Sequence, residues 1–384
     1  MTTSRRRATL AVIAGAAIAL GTSACGGTPS SGDAVQQKID AVTKQGIPGV
    51  QVVIMNPDGR TRTLRSGVGD TGTGTPIADD ARVRIGSNTK AFAATVVMQL
   101  VDEGRVDLGA SVEHYLPGIV RGNGNDGNRV TIRDLLQHTS GLTDYVVAGG
   151  AKPEDVRPGQ LQIAVSEEPL PHFTPAELVK ISTSLPPGPA DKDVAAYSNT
   201  NYILLGMLIE EVTGRPAADE ITTRIIDRLG LADTYFPRPE ETGIRGPHSR
   251  GYHRVGGKQV DVTDGDVSWA GTAGAMVSTG ADLNRFFTAL LRGDLVSADR
   301  LAEMKRTVPL NKNPDDGYGL GLVRVHNSCG KEIWGHGGGI PGFTTAGGVD
   351  TAGRSVTLTF NHVAMTKESG EAVSQAIDAA LCER

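Results

Sequence analysis

The sequence predicts an α/β protein of the α+β kind, in which the two ends of the chain build one antiparallel sheet and a mainly helical lobe lies between them. Three observations predict it. Strand-like segments bounded by turn residues occur near the N-terminus and again from Tyr318 onward, helical periodicity dominates the middle, and the connectors are rich in Pro and Gly. With 384 residues and 39% hydrophobic content, the chain can bury a sizeable core.

In chain order, Arg5, Arg6 and Arg7 precede an apolar run from Ala8 to Leu20 that is too short to span a membrane and suits an export signal over residues 1–24. Small residues then precede Cys25, a pattern that fits either lipidation of Cys25 or plain cleavage after Ala24. Both readings place the mature protein outside the cytoplasm, in the cell envelope or secreted, with a lipid anchor as its only link to a membrane. A Gly/Ser/Pro tether (25–34) leads to the folded body (35–384), where Asp33 is the expected N-cap of a helix carrying Val35, Ile39 and Val42 on one side.

GVQVVIMN (49–56), the turn Pro57-Asp58-Gly59 and RTRTLRSGVG (60–69) read as a β-hairpin. Helices are expected at 89–103, 131–138, 174–182, 199–214 and 218–230, with the helical lobe spanning about 105–255. GNGNDGN (122–128) and SLPPGPAD (184–191) read as exposed connectors, and the acidic spacing of the first does not match a calcium loop. From Tyr318 the pattern is strand-like again (YGLGLVRVH, KEIWGHGGG, GFTTAGGV, SVTLTFNH), and a final helix runs from about Glu368 to Leu381.

The net charge of −5, with Lys and Arg scattered, provides no basic stripe for a phosphate backbone, so no nucleic-acid partner is expected. The eight histidines lack a metal-ligand spacing, and neither a metal nor a cofactor is expected. In an oxidising compartment, Cys329 and Cys382 are most simply accounted for by a structural disulfide.

Three clusters could carry chemistry. Ser87-x-x-Lys90 opens a helix-like run, where the lysine lies one turn on and on the same face, within reach of the serine hydroxyl. Ser328-x-x-Lys331 has the same spacing but sits at a glycine turn before a strand, where the two side chains share no helical face. Tyr197-Ser198-Asn199 precedes a long apolar-periodic helix, and the plain reading of it is a cap by Ser198 or Asn199 with a packed tyrosine. Trp334-Gly-His336-Gly337-Gly338-Gly339 offers backbone N–H groups that a ligand can approach closely.

Taken in order, Ser-x-x-Lys, Tyr-x-Asn and a basic residue followed by Gly on a late strand resemble the penicillin-recognising serine hydrolases: DD-peptidases, class C β-lactamases and related esterases. The resemblance covers roughly Val35 to Cys382, includes LLQHTSGL (135–142), SWAGTAGAMVST (268–279) and DGYGLGL (316–322), and looks closest to secreted actinomycete DD-carboxypeptidases. It implies a β-lactamase/DD-peptidase-like fold and the setting of the Cys329 and Cys382 pair. It further implies Ser87 as acylated nucleophile, Lys90 as its proton partner, Tyr197 as general base and then acid, and Asn199 as an orienting amide. His336 would be the cation-side residue assisting Tyr197 and the substrate carboxylate. Backbone N–H groups of Ser87 and Gly339, with Gly338, would form the oxyanion hole, and Trp269 and Arg324 are candidates for substrate contact.

The sequence departs from the peptidase pattern after His336, where Gly337, Gly338 and Gly339 offer no hydroxyl to a terminal carboxylate. Arg324 could clamp that carboxylate if strand parity aims it at the site. The resemblance implies as partners a peptidoglycan stem peptide or a small acyl substrate, with β-lactams as covalent ligands. The leading expectation is a D-alanyl-D-alanine carboxypeptidase-like hydrolase. An esterase or broad serine hydrolase, weak β-lactamase activity included, and a non-catalytic peptidoglycan-binding protein are the alternatives.

Overall fold

A computed structural model describes residues 31–147, 157–162, 170–255, 257–310, 313–362 and 367–382. The expected leader and Cys25 lie outside the described residues. The first helix, α1 (Ser31–Thr43), already includes Asp33, so Asp33 is not its N-cap. Val35, Ile39 and Val42 are fully buried, as their spacing demands.

The hairpin forms as β1 (Gly49–Met55) and β2 (Thr61–Gly67). The nucleophile segment follows: a 3-10 turn at Gly86–Asn88 runs directly into α2 (Thr89–Asp102). Next come α3 (Ile132–Gln137), α4 (Pro175–Thr183) and α5 (Asn199–Thr213). The first two start with capping boxes, Thr131 with Asp134 and Thr174 with Glu177, which settle two orphan N–H groups at each end. The expected helix at 218–230 is broken by a π-helical turn at Thr222–Ile226. A helix not expected from periodicity, α6 (Gly280–Arg292), is capped by Thr279 and packs on the sheet, with Asn284 Nδ2 donating to Val53 O at 2.8 Å.

The remaining strands of the main sheet are β3 (Val308–Leu310), β4 (Asn313–Tyr318), β5 (Val323–His326), β6 (Glu332–Gly335), β7 (Gly338–Ile340), β8 (Phe343–Asp350) and β9 (Ser355–Phe360), and α7 (Lys367–Leu381) follows them. They join the N-terminal hairpin in one antiparallel sheet ordered β3-β4-β5-β6-β8-β9-β1-β2, with β7 paired to β8. The two ends of the chain meet where Val50 pairs with Phe360 and Met55 with Ser355.

Strand alternation divides the interior into two cores. On one face Val50, Val52, Ile54, Ile333, Val356 and Leu358 pack against α1 and α7. On the other face Trp334, Ile340, Phe343 and Val349 join the large core of α2, α5 and α6, where Phe92 and Phe286 stack at 3.7 Å between ring centroids. The Cys329–Cys382 disulfide forms, tying the β5–β6 turn to the end of α7.

The connectors are not wholly exposed. Asn125, within GNGNDGN, is buried: its Nδ2 donates to Leu185 O and Gly122 O at 2.9 Å each, which fastens the two expected loops to each other.

Candidate active site

Ser87 is held by a turn that only glycine can begin. Gly86 has φ +50°, and a Cβ on it would lie 2.8 Å from Gly339 N. Gly338 is equally constrained, because a Cβ there would lie 2.0 Å from Ile85 O and 2.9 Å from Ser87 N. Strand β7 therefore lies backbone to backbone on the nucleophile turn, and Asn88 Nδ2 fastens the turn to β8 through Thr345 Oγ1 at 2.5 Å. Among the described residues, nothing stands within 4 Å of where a Cβ on Gly339 would point.

Lys90, fully buried on the first turn of α2, places Nζ 3.0 Å from Ser87 Oγ, 2.7 Å from Asn199 Oδ1 and 2.7 Å from Ala273 O. Burial lowers its pKa to about 7, with the Asp144 charge opposing the shift. The geometry suits the neutral amine: two N–H groups satisfy two carbonyl oxygens, and the lone pair is left for the serine proton.

Tyr197 lies under the same amine, with Nζ 4.8 Å from the ring centroid. Burial holds its phenol well above the usual range, against the effect of a hydrogen bond to Ser87. The raised value favours the phenol form at rest. Asn199 opens α5 and faces two ways, its Oδ1 to Lys90 and its Nδ2 to Asp144 Oδ2 at 2.9 Å. Ser198 occupies the N-cap position but makes no capping bond.

His336 is buried at the end of β6. Nδ1 donates to Gly337 O at 2.5 Å, so Nε2 is the acceptor, and Tyr318 OH reaches it at 3.1 Å. Burial, reinforced by Lys90, lowers its pKa to about 4. That shift favours the neutral imidazole, and the partner of its Nε2 is Tyr318.

Strand register settles Arg324. It pairs with Trp334, so both lie on the face that packs toward α2 and α5, while Val325 faces α1 and α7. Its Nε is buried without a partner among the described residues. Trp269 is half-buried, and its carbonyl accepts from Tyr145 OH at 2.5 Å. It lies two residues before the short helix Gly271–Gly274, which carries the carbonyl that meets Lys90. Ser328 and Lys331 do not assemble with this group: Lys331 Nζ pairs with Asp350 at 2.9 Å and donates to Leu381 O.

Sequence reasoning did not single out His138, Asp144 and Tyr318. His138, in the left-handed conformation (φ 59°), and Tyr318 are buried aromatics, and the quoted blocks LLQHTSGL and DGYGLGL contained them without a role. Asp144 had no local signal, because what marks it is a bond to a residue 55 positions away.

The family model described as Beta-lactamase matches residues 34–380. Penicillin-binding protein 4 of Amycolatopsis lactamdurans is 30% identical over 65% of this chain and 61% of its own length. The putative penicillin-binding protein PbpX of Bacillus subtilis is 25% identical over 75% of this chain and 63% of its own. The chain thus spans less than two thirds of the length of these curated relatives. Among solved structures, a D-stereospecific amidohydrolase from Streptomyces sp. has 37% identity and a TM-score of 0.80 over 91% of this chain and 98% of its own. D-amino acid amidase from Ochrobactrum anthropi SV3 has 28% identity and a TM-score of 0.76 over 92% and 99%. A match that runs from α1 to the last helix, on a chain whose buried lysine reaches the serine one turn before it, makes this protein a member of the Beta-lactamase family and a serine hydrolase of the β-lactamase and penicillin-binding-protein superfamily.

Proposed function

We propose that the protein is a D-stereospecific amidohydrolase that acylates Ser87. The observation that carries this reading is the Lys90 amine, buried, near-neutral in pKa and in contact with Ser87 Oγ. Neutral Lys90 takes the serine proton as Oγ attacks the amide carbonyl. The backbone N–H groups of Ser87 and Gly339 receive the oxyanion. Tyr197 passes its proton to the departing nitrogen, its phenolate then takes a proton from the water that attacks the acyl group, and Lys90 returns its proton to Ser87 Oγ as the acid leaves.

The likeness to D-amino acid amidase and to the Streptomyces amidohydrolase supports D-configured acyl groups. The three glycines after His336 favour a neutral leaving group, ammonia or a small amine, because no side-chain hydroxyl there meets a carboxylate. A second reading keeps the D-alanyl-D-alanine carboxypeptidase, acting on peptidoglycan stem peptides and acylated by β-lactams. It is favoured by Arg324, whose face of the sheet is the one packed toward the site. Hydrolysis of D-phenylalaninamide, its L-enantiomer, a diacyl-Lys-D-Ala-D-Ala peptide and a chromogenic ester by one preparation separates the readings. Preference for the D-amide supports the first, D-alanine release the second, and turnover of the ester alone an esterase. Export and anchoring at Cys25 remain part of the proposal and are checked by mass spectrometry of the mature N-terminus.

A further inference from the structure

Helix α5 starts at Asn199 without help from its own N-cap residue, since the Ser198 hydroxyl is buried and has no partner among the described residues. The carboxylate of Asp144, on the segment that follows α3, takes over. Its Oδ2 accepts from Asn199 Nδ2 at 2.9 Å, the Asn199 backbone N–H adds a second bond, and Oδ1 accepts from Val146 N–H at 3.0 Å. Burial pushes the Asp144 carboxyl pKa up, while its N–H donors, the Lys90 charge and the helix N-terminus oppose that shift and favour the anion. The segment is fixed on both sides: Thr200 Oγ1 donates to Thr143 O, and Tyr145 OH donates to Trp269 O.

An amide side chain has two ends, and Asp144 decides which one Lys90 meets. With Nδ2 bound to the carboxylate, Oδ1 must face Lys90 Nζ, where it lies at 2.7 Å. We propose that Asp144 is a positioning residue that locks the amide of Asn199 toward the Lys90 amine. This rests on the proposed acylation of Ser87.

Among the described residues, the charged and titratable groups around the pair are few. Lys90 is faced by Tyr197 and Tyr202 from α5 and its approach, by His138 at the end of α3 and by His336 at the end of β6. Asp144 is faced by Lys90, Tyr145 and Tyr197, and Arg157 bonds to the neighbouring Thr143 Oγ1. Burial keeps both histidines uncharged near neutrality, leaving Asp144 as the nearby anion that favours the ammonium form of Lys90.

Asp144→Asn removes the charge that favours protonated Lys90, so the acid limb of acylation moves to lower pH, by about half to one unit. The same substitution leaves one oxygen for two donors, Asn199 Nδ2 and the Val146 N–H, so the hold on Asn199 loosens and kcat falls by about 10-fold with KM for an ester little changed. Asp144→Glu keeps the charge and is expected to keep the wild-type limb at a reduced rate.

The experiment is the pH dependence of single-turnover acylation by a chromogenic ester, in the full chain and both variants. A wild-type protein that forms no Ser87 adduct defeats the acylation reading itself. A reactive wild type whose acid limb coincides with that of Asp144→Asn, or a limb that Asp144→Glu moves equally, overturns the role of Asp144 alone. If Asp144→Asn does not fold, [4-13C]aspartate NMR of the wild type decides: one ionised carboxyl whose shift follows the acylation midpoint supports the proposal, and none doing so overturns it.

Discussion

His138 packs its ring on that of Tyr197, 4.3 Å between centroids at a 33° tilt, while its Nδ1 accepts the backbone N–H of Ser198 at 3.2 Å. One buried residue thus supports the tyrosine and ties down the backbone between Tyr197 and Asn199. His138→Leu keeps the bulk but strands the Ser198 N–H, at a cost of about 1–3 kcal/mol. Acylation is expected to slow by about 10-fold or more, read by stopped-flow labelling beside a thermal melt.

The two Ser-x-x-Lys copies separate cleanly. Ser87→Ala is expected to abolish labelling by a serine-directed phosphonate, and Ser328→Ala to leave it unchanged, because Lys331 is engaged with Asp350 and Leu381 O. Labelling that follows Ser328 instead would sink the assignment.

Gly338 and Gly339 are adjacent but make opposite demands. A Cβ on Gly338 would meet Ile85 O at 2.0 Å, so Gly338→Ala is expected to lower stability by about 1–3 kcal/mol and shift the nucleophile turn. Gly339→Ala projects into open space and should leave the melting temperature unchanged while altering substrate preference. Equal melting shifts for both would contradict this packing.

His336 predicts a pH dependence of stability. Its folded pKa of about 4 lies below the unfolded value of 6.5, so the unfolded chain binds more protons between those values and stability rises with pH across that window. The penalty is complete below pH 4, gone above pH 6.5, and amounts to about 3 kcal/mol. Urea melts from about pH 4 to 7 should show a slope that His336→Gln flattens.

The disulfide closes a segment of 53 residues, for which chain entropy gives about 4 kcal/mol. Cys329→Ser is expected to cost up to that amount in urea-induced unfolding. Labelling of Ser87 in the folded fraction should remain, since the bond joins the β5–β6 turn to the end of α7, which packs on the far face of the sheet.

Legibility in the sequence followed the range of the interactions. The β1–β2 hairpin and helices α2 to α5 carry their periodicity, turns and capping residues locally, and Ser87 with Lys90 sits inside one helical turn. Helix α6 was missed although its signal is local, since ADLNRFFTALLR presents one apolar face to the sheet directly after the SWAGTAGAMVST block. The downward pKa shift of His336 had no sequence signal, because burial, its largest cause, is a tertiary property. Asp144 became visible only when the fold set it against the start of α5. Arg324 needed only strand parity, which the register with Trp334 supplies.

The bond from Asn88 to Thr345 crosses 257 residues of sequence, and Gly339 leans on Gly86 across nearly as many. A growing chain that has reached Gly330 already holds Ser87, Lys90, Tyr197 and Asn199, yet lacks the strands that brace the nucleophile turn and half of the oxyanion hole. Reactivity toward a phosphonate probe therefore reports completion of the fold, and fragments ending before β8 should remain chemically silent.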